Sequence, residues 1–181
     1  MAREDQGIAN NLHRWQTIPR VLCFVTHGSG DDASVLLLRG APTKRVWPNR
    51  LNGVGGHVER DEDIHAAARR EIAEETGLQV RDLRLCGVVH IDSGAAVGIV
   101  MFVWLAVADS REVQPSVEGA LEWHSVRALP TTDVVDDLAI LLPRVLAMQP
   151  NAAPFFAHYS YDARNQLVIA WHDSPPLVAQ P

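Results

Sequence analysis

The stretch from Gly56 to Leu78, GHVERDEDIHAAARREIAEETGL, constrains this chain more than any other. Its spacing predicts a helix over residues 63–76. Acidic residues open it, where the helix dipole favours negative charge, and Gly77 closes it in the left-handed cap position that glycine adopts without strain. At 100° per residue, Ile64, Ala67, Ala68 and Ile72 make one apolar stripe, and Glu71, Glu74 and Glu75 fall within the same arc. Three carboxylates are therefore expected on the side of the helix that a fold would bury, and burying like charges is costly unless cations compensate.

Carboxylates at spacings i, i+3 and i+4 are hard oxygen ligands of the kind that Mg²⁺ or Mn²⁺ takes, so a metal site is one reading of this face. A solvated acidic surface is the plainer one. The preceding glycines Gly53, Gly55 and Gly56 let the backbone turn sharply and approach a ligand closely just ahead of the helix. Clustered divalent ions are what hydrolysis of a phosphoanhydride needs, because water must be made nucleophilic and the growing oxygen charge neutralised.

The full spacing is Gly56, five residues, Glu62, seven residues, then Arg70, Glu71, Ile72, one residue, Glu74, Glu75, one residue, Gly77 and Leu78. It resembles the complete signature box of the Nudix hydrolases, a pattern expected by chance in a chain this size on the order of once in 10⁷. The resemblance implies an α/β fold, an α/β/α sandwich with a central mixed sheet. It also implies that Glu74 and Glu75 are direct metal ligands, Glu71 a ligand or the base that deprotonates water, and the Gly55 carbonyl a further metal contact. Arg70 would orient the carboxylates, with Glu62 as its ion-pair partner. A further metal ligand is expected downstream of the box: Glu118 in VEGALEW, with Glu122 as the alternative.

Substrate choice lies outside the box. LNGVGGHV, EWHSVRALPTTDVVDDLAILLPRVL and FFAHYSYDARNQLVI are together similar to the branch that hydrolyses oxidised purine nucleoside triphosphates such as 8-oxo-dGTP. That likeness implies that Asn52, Asp136 and Asp137 read the base, with Val134 standing where the branch has a stacking Trp. An amide offers both donor and acceptor, and one Asp of a close pair can stay protonated to donate. The plainer reading of Asp133, Asp136 and Asp137 is a helix start. Arg39, Lys44, Arg45 and Arg50 precede the box as candidate phosphate cations, of which Arg39 and Arg50 are expected to bind substrate. Trp47 lines a base pocket or caps the core. The implied activity is release of a monophosphate and pyrophosphate from a (d)NTP; ADP-ribose or dinucleoside polyphosphate cleavage is the alternative, and a non-catalytic nucleotide-binding module a third reading.

With 181 residues, 47% of them hydrophobic, the chain suits one domain over residues 20–172, between an irregular arm (1–19) and a Pro-rich tail (173–181). A net charge of −6 argues against a nucleic-acid polymer and for a small nucleotide partner, with the chain a monomer or homodimer. Cys23 and Cys86 sit singly in apolar runs, as buried thiols do in a reducing compartment. No run is long enough to span a bilayer and the start lacks a signal-peptide pattern, so no membrane partner and a cytoplasmic location are expected.

Along the chain, strands are expected over residues 21–26, 34–39, 83–91 and 98–108, near 122–126, and over 155–161 and 166–171. A second helix is expected over 133–148, kinked or restarted at Pro143.

Overall fold

The computed structural model describes residues 14–172. Its strands are β1 (Gln16–His27), β2 (Ser34–Gly40), β3 (Leu51–Asn52), β4 (Val80–Ile91), β5 (Val97–Ala108), β6 (Gly119–Ser125), β7 (Phe155–Tyr161) and β8 (Leu167–His172). Its helices are α1 (Ile64–Thr76) and α2 (Leu138–Ala147). The strands form one sheet in the order β3-β2-β1-β5-β4-β7-β8, with β6 on β2. The β1–β5 and β4–β7 pairs are parallel and the rest antiparallel, so the sheet is mixed.

Alternation along the strands builds two cores. Val21, Cys23 and Val25 of β1, with Trp104 and Ala106 of β5, face α1 through Ala67, Ala68 and Ile72. Leu22 and Phe24, with Val103, Val89 and Tyr159, face α2 through Leu138, Leu141, Leu142 and Val145. Each helix therefore covers one face of the sheet, the α/β/α sandwich expected from the sequence. Cys23 and Cys86 are both free and buried. Among the described residues, no helix is long and apolar enough to cross a membrane.

Several boundaries differ from the sequence reading, among them the starts of β4 (Val80) and β6 (Gly119), which lie three residues earlier than expected. β1 begins at Gln16, inside the stretch expected as an irregular arm, because it pairs in parallel with the long β5 from Gln16↔Val97 onward. Residues 1–13 of that arm and the tail from residue 173 lie outside the described residues. The second helix begins at Leu138 rather than near residue 133. Asp133 has φ +56°, and Leu51 takes residues 133–135 into a ladder in which its N–H donates to the Asp133 carbonyl (2.7 Å) and its carbonyl accepts from the Val135 N–H (3.0 Å). Of the two effects expected at Pro143, a restart does not occur, since α2 runs through it as one element. β3, two residues long, carries no periodic signal that a sequence reading could find.

Candidate active site

The site forms where β1 and β2 part. Near its C-terminal end β1 pairs with β2, from Val25↔Leu36 to His27↔Ser34. Below that, the glycine-rich segment takes over as the neighbour of β1. The Cys23 N–H donates to the Val54 carbonyl (2.7 Å), the Val54 N–H to the Cys23 carbonyl (3.1 Å), and the Val21 N–H to the Gly56 carbonyl (2.9 Å). Gly55 has φ +151°, and a Cβ there would collide with the Val21 carbonyl. A Cβ at Gly56 would collide with the Glu71 carboxylate. The glycines are thus the condition for β1, the turn and α1 to meet.

Asp63 caps α1, its carboxylate accepting from the His65 and Ala66 N–H groups at 2.8 and 2.9 Å, and Gly77 ends it at φ +73°. Two of the three box carboxylates face inward as expected. Glu75 is buried, its Oε2 accepting the Gly55 N–H at 3.0 Å, and the Glu71 side chain is 12% exposed. Glu74 departs from the expectation, with its side chain 61% exposed. The difference lies in Arg70, whose Nη1 donates to both Glu71 Oε1 and Glu74 Oε2 at 2.9 Å and so draws Glu74 toward the rim. The same guanidinium donates to both Glu62 oxygens (2.6 and 3.0 Å) and to the His57 carbonyl (3.0 Å), which ties α1 to the loop before it. Glu62 holds the guanidinium pKa well above its ordinary value, and Arg70 in turn holds the Glu62 carboxyl below the usual range.

A cleft of about 510 Å³ opens in front of this turn, and Glu71, Glu75 and Glu118 line it from the acidic side. Burial pushes the Glu75 carboxyl up to about 7, and neighbouring Glu71 and Glu118 add to the shift while the Gly55 N–H and Lys44 oppose it. Burial, and then the same Glu71 and Glu75 charges, push up the Cys23 thiol beneath them, so that sulfur is inert packing. Among the described residues no three acidic, His or Cys side chains converge closely enough to hold a metal ion as they stand, since Arg70 splays Glu74 away and Lys44 holds Glu118. The donor chemistry nevertheless fits a hard divalent cation. The carboxylates of Glu71 and Glu75 lie against a turn kept free of Cβ atoms, with a third carboxylate lining the same cleft.

Glu118 and Glu122 separate cleanly. Glu118 faces the cleft and pairs with Lys44 Nζ at 2.6 Å, and its carbonyl accepts the Ala41 N–H at 2.9 Å, joining the two loops that overhang the site. Glu122 lies off the cleft in a forked pair with Arg39 (2.5 and 3.1 Å). Arg39, expected to bind substrate, is thus committed to β6 and to the Asn49 carbonyl, and does not line the cleft. Arg50 and Trp47 do line it, although one Arg50 donor is spent on the Val134 carbonyl at 3.0 Å. Asn52 also lines the cleft, its Oδ1 accepting from the Gly53 N–H at 2.8 Å.

Asp136 and Asp137 are brought beside β3 by the Leu51 ladder but are not part of the cleft lining. Val134 is buried and offers no stacking face. Asp137 stands at the N-cap of α2 without capping it. It lies instead beside the buried Tyr159 hydroxyl, which has no well-formed hydrogen bond, and burial raises the carboxyl above the ordinary range. A raised folded-state pKa means that ionisation costs stability, so the penalty is absent in acid and grows as pH rises through the ordinary carboxylate range and beyond. Asp137→Asn removes the charge. Its melting temperature is expected to exceed that of the wild type at pH 7 by a few degrees, with the gain vanishing near pH 3.5 in calorimetric scans. An equal gain at both pH values would rule out this account.

Sequence reading missed Arg20, on β1, and His57 and Glu59, all of which line the cleft. For Arg20 a signal existed, a charged residue heading the otherwise apolar run VLCFV.

Comparison with known proteins adds the following. A family model described as NUDIX domain matches residues 16–145. The NAD-capped RNA hydrolase NudC of Deinococcus radiodurans is 36% identical over 66 residues, covering 36% of this chain and 22% of NudC, so the match spans about a fifth of that relative. The oxidized purine nucleoside triphosphate hydrolase of Danio rerio is 25% identical over 134 residues, covering 73% of this chain and 83% of that protein. Among solved structures, a Mutator MutT protein from Bacillus halodurans has the same fold, with a TM-score of 0.61 at 21% identity over 87% of this chain and 99% of that one.

Proposed function

The chain belongs to the Nudix hydrolase family, and on that premise we propose that it is a divalent-metal-dependent hydrolase of a nucleoside diphosphate linkage, taking a (d)NTP, oxidised purine forms included, to the monophosphate and pyrophosphate. One observation carries this reading: Glu71 and Glu75 meet the Gly55–Gly56 turn in a cleft that Lys44 and Arg50 also line. Glu71, Glu74, Glu75, Glu118 and the Gly55 carbonyl would hold Mg²⁺ or Mn²⁺. When bound, such a cation polarises phosphoryl oxygens and lowers the pKa of water.

The chain's own groups do the rest. Arg70 holds Glu71 at the cleft and Glu74 at its rim, and Glu62 keeps Arg70 in place. Glu71 faces the turn and is the group to accept the proton of the attacking water. Lys44 and Arg50 neutralise the departing pyrophosphate, Lys44 exchanging its Glu118 partner for a phosphate oxygen. Asn52 contacts the base, while Asp136 and Asp137, outside the cleft lining, stand just beyond the segment paired to Leu51. The similarity to the Danio rerio enzyme over most of both chains favours the triphosphate. The similarity to NudC supports a second reading, a dinucleotide or ADP-ribose type of pyrophosphate.

A panel of canonical and oxidised (d)NTPs, ADP-ribose, NAD and diadenosine polyphosphates, ranked by kcat/KM, separates these readings. For a triphosphate in ¹⁸O-labelled water, mass analysis is expected to find monophosphate and pyrophosphate as first products, with the label in one of them. Orthophosphate as the first product would overturn the proposed attack inside the phosphate chain.

A further inference from the structure

Arg20 is the sole Asp, Glu, Lys or Arg in β1, and its backbone sits between Met101 of β5 and His57. Alternation puts its side chain on the same face as Leu22 and Phe24, the face opposite Val21 and Cys23 and hence opposite α1. The cleft passes through the gap between β1 and β2, so Glu71 and Glu75 line one end while Arg20, Leu22 and Met101 line the other. At that second end the Arg20 Nε is buried with no hydrogen-bond partner. Among the described residues Arg20 also has no ion pair, whereas Lys44 has Glu118, Arg39 has Glu122 and Arg50 has the Val134 carbonyl. An unpaired buried donor is costly, the more so on a charged group, and an apolar side chain at this register would simply extend the Leu22–Phe24 stripe. Nothing in the fold itself repays that cost.

The neighbouring polar group is also a donor. Asn52 spends its amide oxygen on the Gly53 N–H, which leaves its two amide hydrogens unspent. Apolar Leu22 and Met101 lining the cleft together with a guanidinium and an amide NH₂ suit an aromatic ring whose edge carries acceptors. We infer that Arg20 is a specificity-determining residue that, with Asn52, reads the O6 acceptor of a 6-oxopurine base, guanine or hypoxanthine. Adenine presents a 6-amino donor there, which meets donors. The inference rests on the nucleotide reading above, and it adds which base edge is selected and by which residue.

Calorimetric titration with GMP, IMP and AMP tests it on the wild type, Arg20→Met and Arg20→Lys, with KM and kcat for GTP and ATP measured in parallel. The wild type is expected to bind GMP and IMP about tenfold or more tighter than AMP. Arg20→Met is expected to erase that ratio, raising KM for GTP at least about tenfold with kcat within about threefold, while Arg20→Lys keeps part of the preference. Should Arg20→Met fold poorly, Arg20→Gln, which retains a polar head, takes its place. Equal binding of the three monophosphates by the wild type overturns the inference, as does uniform weakening of all three in the variants, which would assign Arg20 to the phosphates or the fold. Selective binding that Arg20 controls, without hydrolysis of any triphosphate, would sink the catalytic reading while sustaining this one.

Discussion

Glu75→Gln is expected to lower kcat about a thousandfold, roughly 4 kcal/mol of transition-state stabilisation, without unfolding the protein. Glu75 is the most deeply buried of the box carboxylates and is bonded to the Gly55 N–H at 3.0 Å, an interaction that a glutamine oxygen can keep. What the amide cannot supply is the negative charge. In metal-free protein that charge is a liability, since burial and the nearby Glu71 and Glu118 all oppose ionisation. The metal-free variant should therefore melt at the same temperature as the wild type or higher, roughly 2–4 °C for each kcal/mol of relieved strain. Added Mg²⁺ should raise the melting temperature of the wild type and leave the variant nearly unmoved. Full wild-type turnover in EDTA, or equal Mg²⁺ stabilisation of both proteins, would contradict the assignment of Glu75 as an anchor.

The box was legible because its chemistry is local. A helix with its own caps, one face and fixed spacings reads from sequence, and the structure begins α1 one residue after the expected start. The longer strands read as well, because turn residues mark off the apolar runs that form them. The order of strands did not, since the parallel pairing of β1 with β5 is set by packing across distant segments.

The acidic face was only partly legible. Helical angle alone put Glu74 with Glu71 and Glu75, but a side chain's direction also depends on which cation reaches it, and Arg70, one turn away, reaches Glu74. Similarly, nothing in the spacing of Glu118 and Glu122 says that β2 pairs so that Arg39 takes the second and Lys44 the first. The start of α2 was misplaced for a related reason. Asp133, Asp136 and Asp137 have the composition of a helix start, but Leu51, some eighty residues earlier, claims the backbone of residues 133–135. Arg20 shows the converse: its oddity was visible as one charge in an apolar strand, but its significance depends on a cleft that only the tertiary structure forms.

Arg70→Ala is expected to reduce kcat about a hundredfold and to lower the melting temperature by several degrees, and the two effects have one cause. Its guanidinium serves Glu62, Glu71, Glu74 and the His57 carbonyl together, so the substitution leaves Glu71 and Glu74 without their shared cation and frees the turn from the helix. Loss of orientation, rather than loss of a ligand, distinguishes this variant from Glu75→Gln. The carboxylates remain and lose a competitor for their charge, so the Mg²⁺ concentration for half-maximal activity should not rise even as kcat falls. Lysine at this position keeps a point charge but not the planar fork, and can satisfy one carboxylate at a time. Arg70→Lys should therefore recover less than about tenfold of the lost activity. A rise of tenfold or more in the Mg²⁺ requirement of Arg70→Ala, or full recovery by lysine, would mean that Arg70 acts as a simple counter-charge to the metal anchors and not as the clamp that aims them.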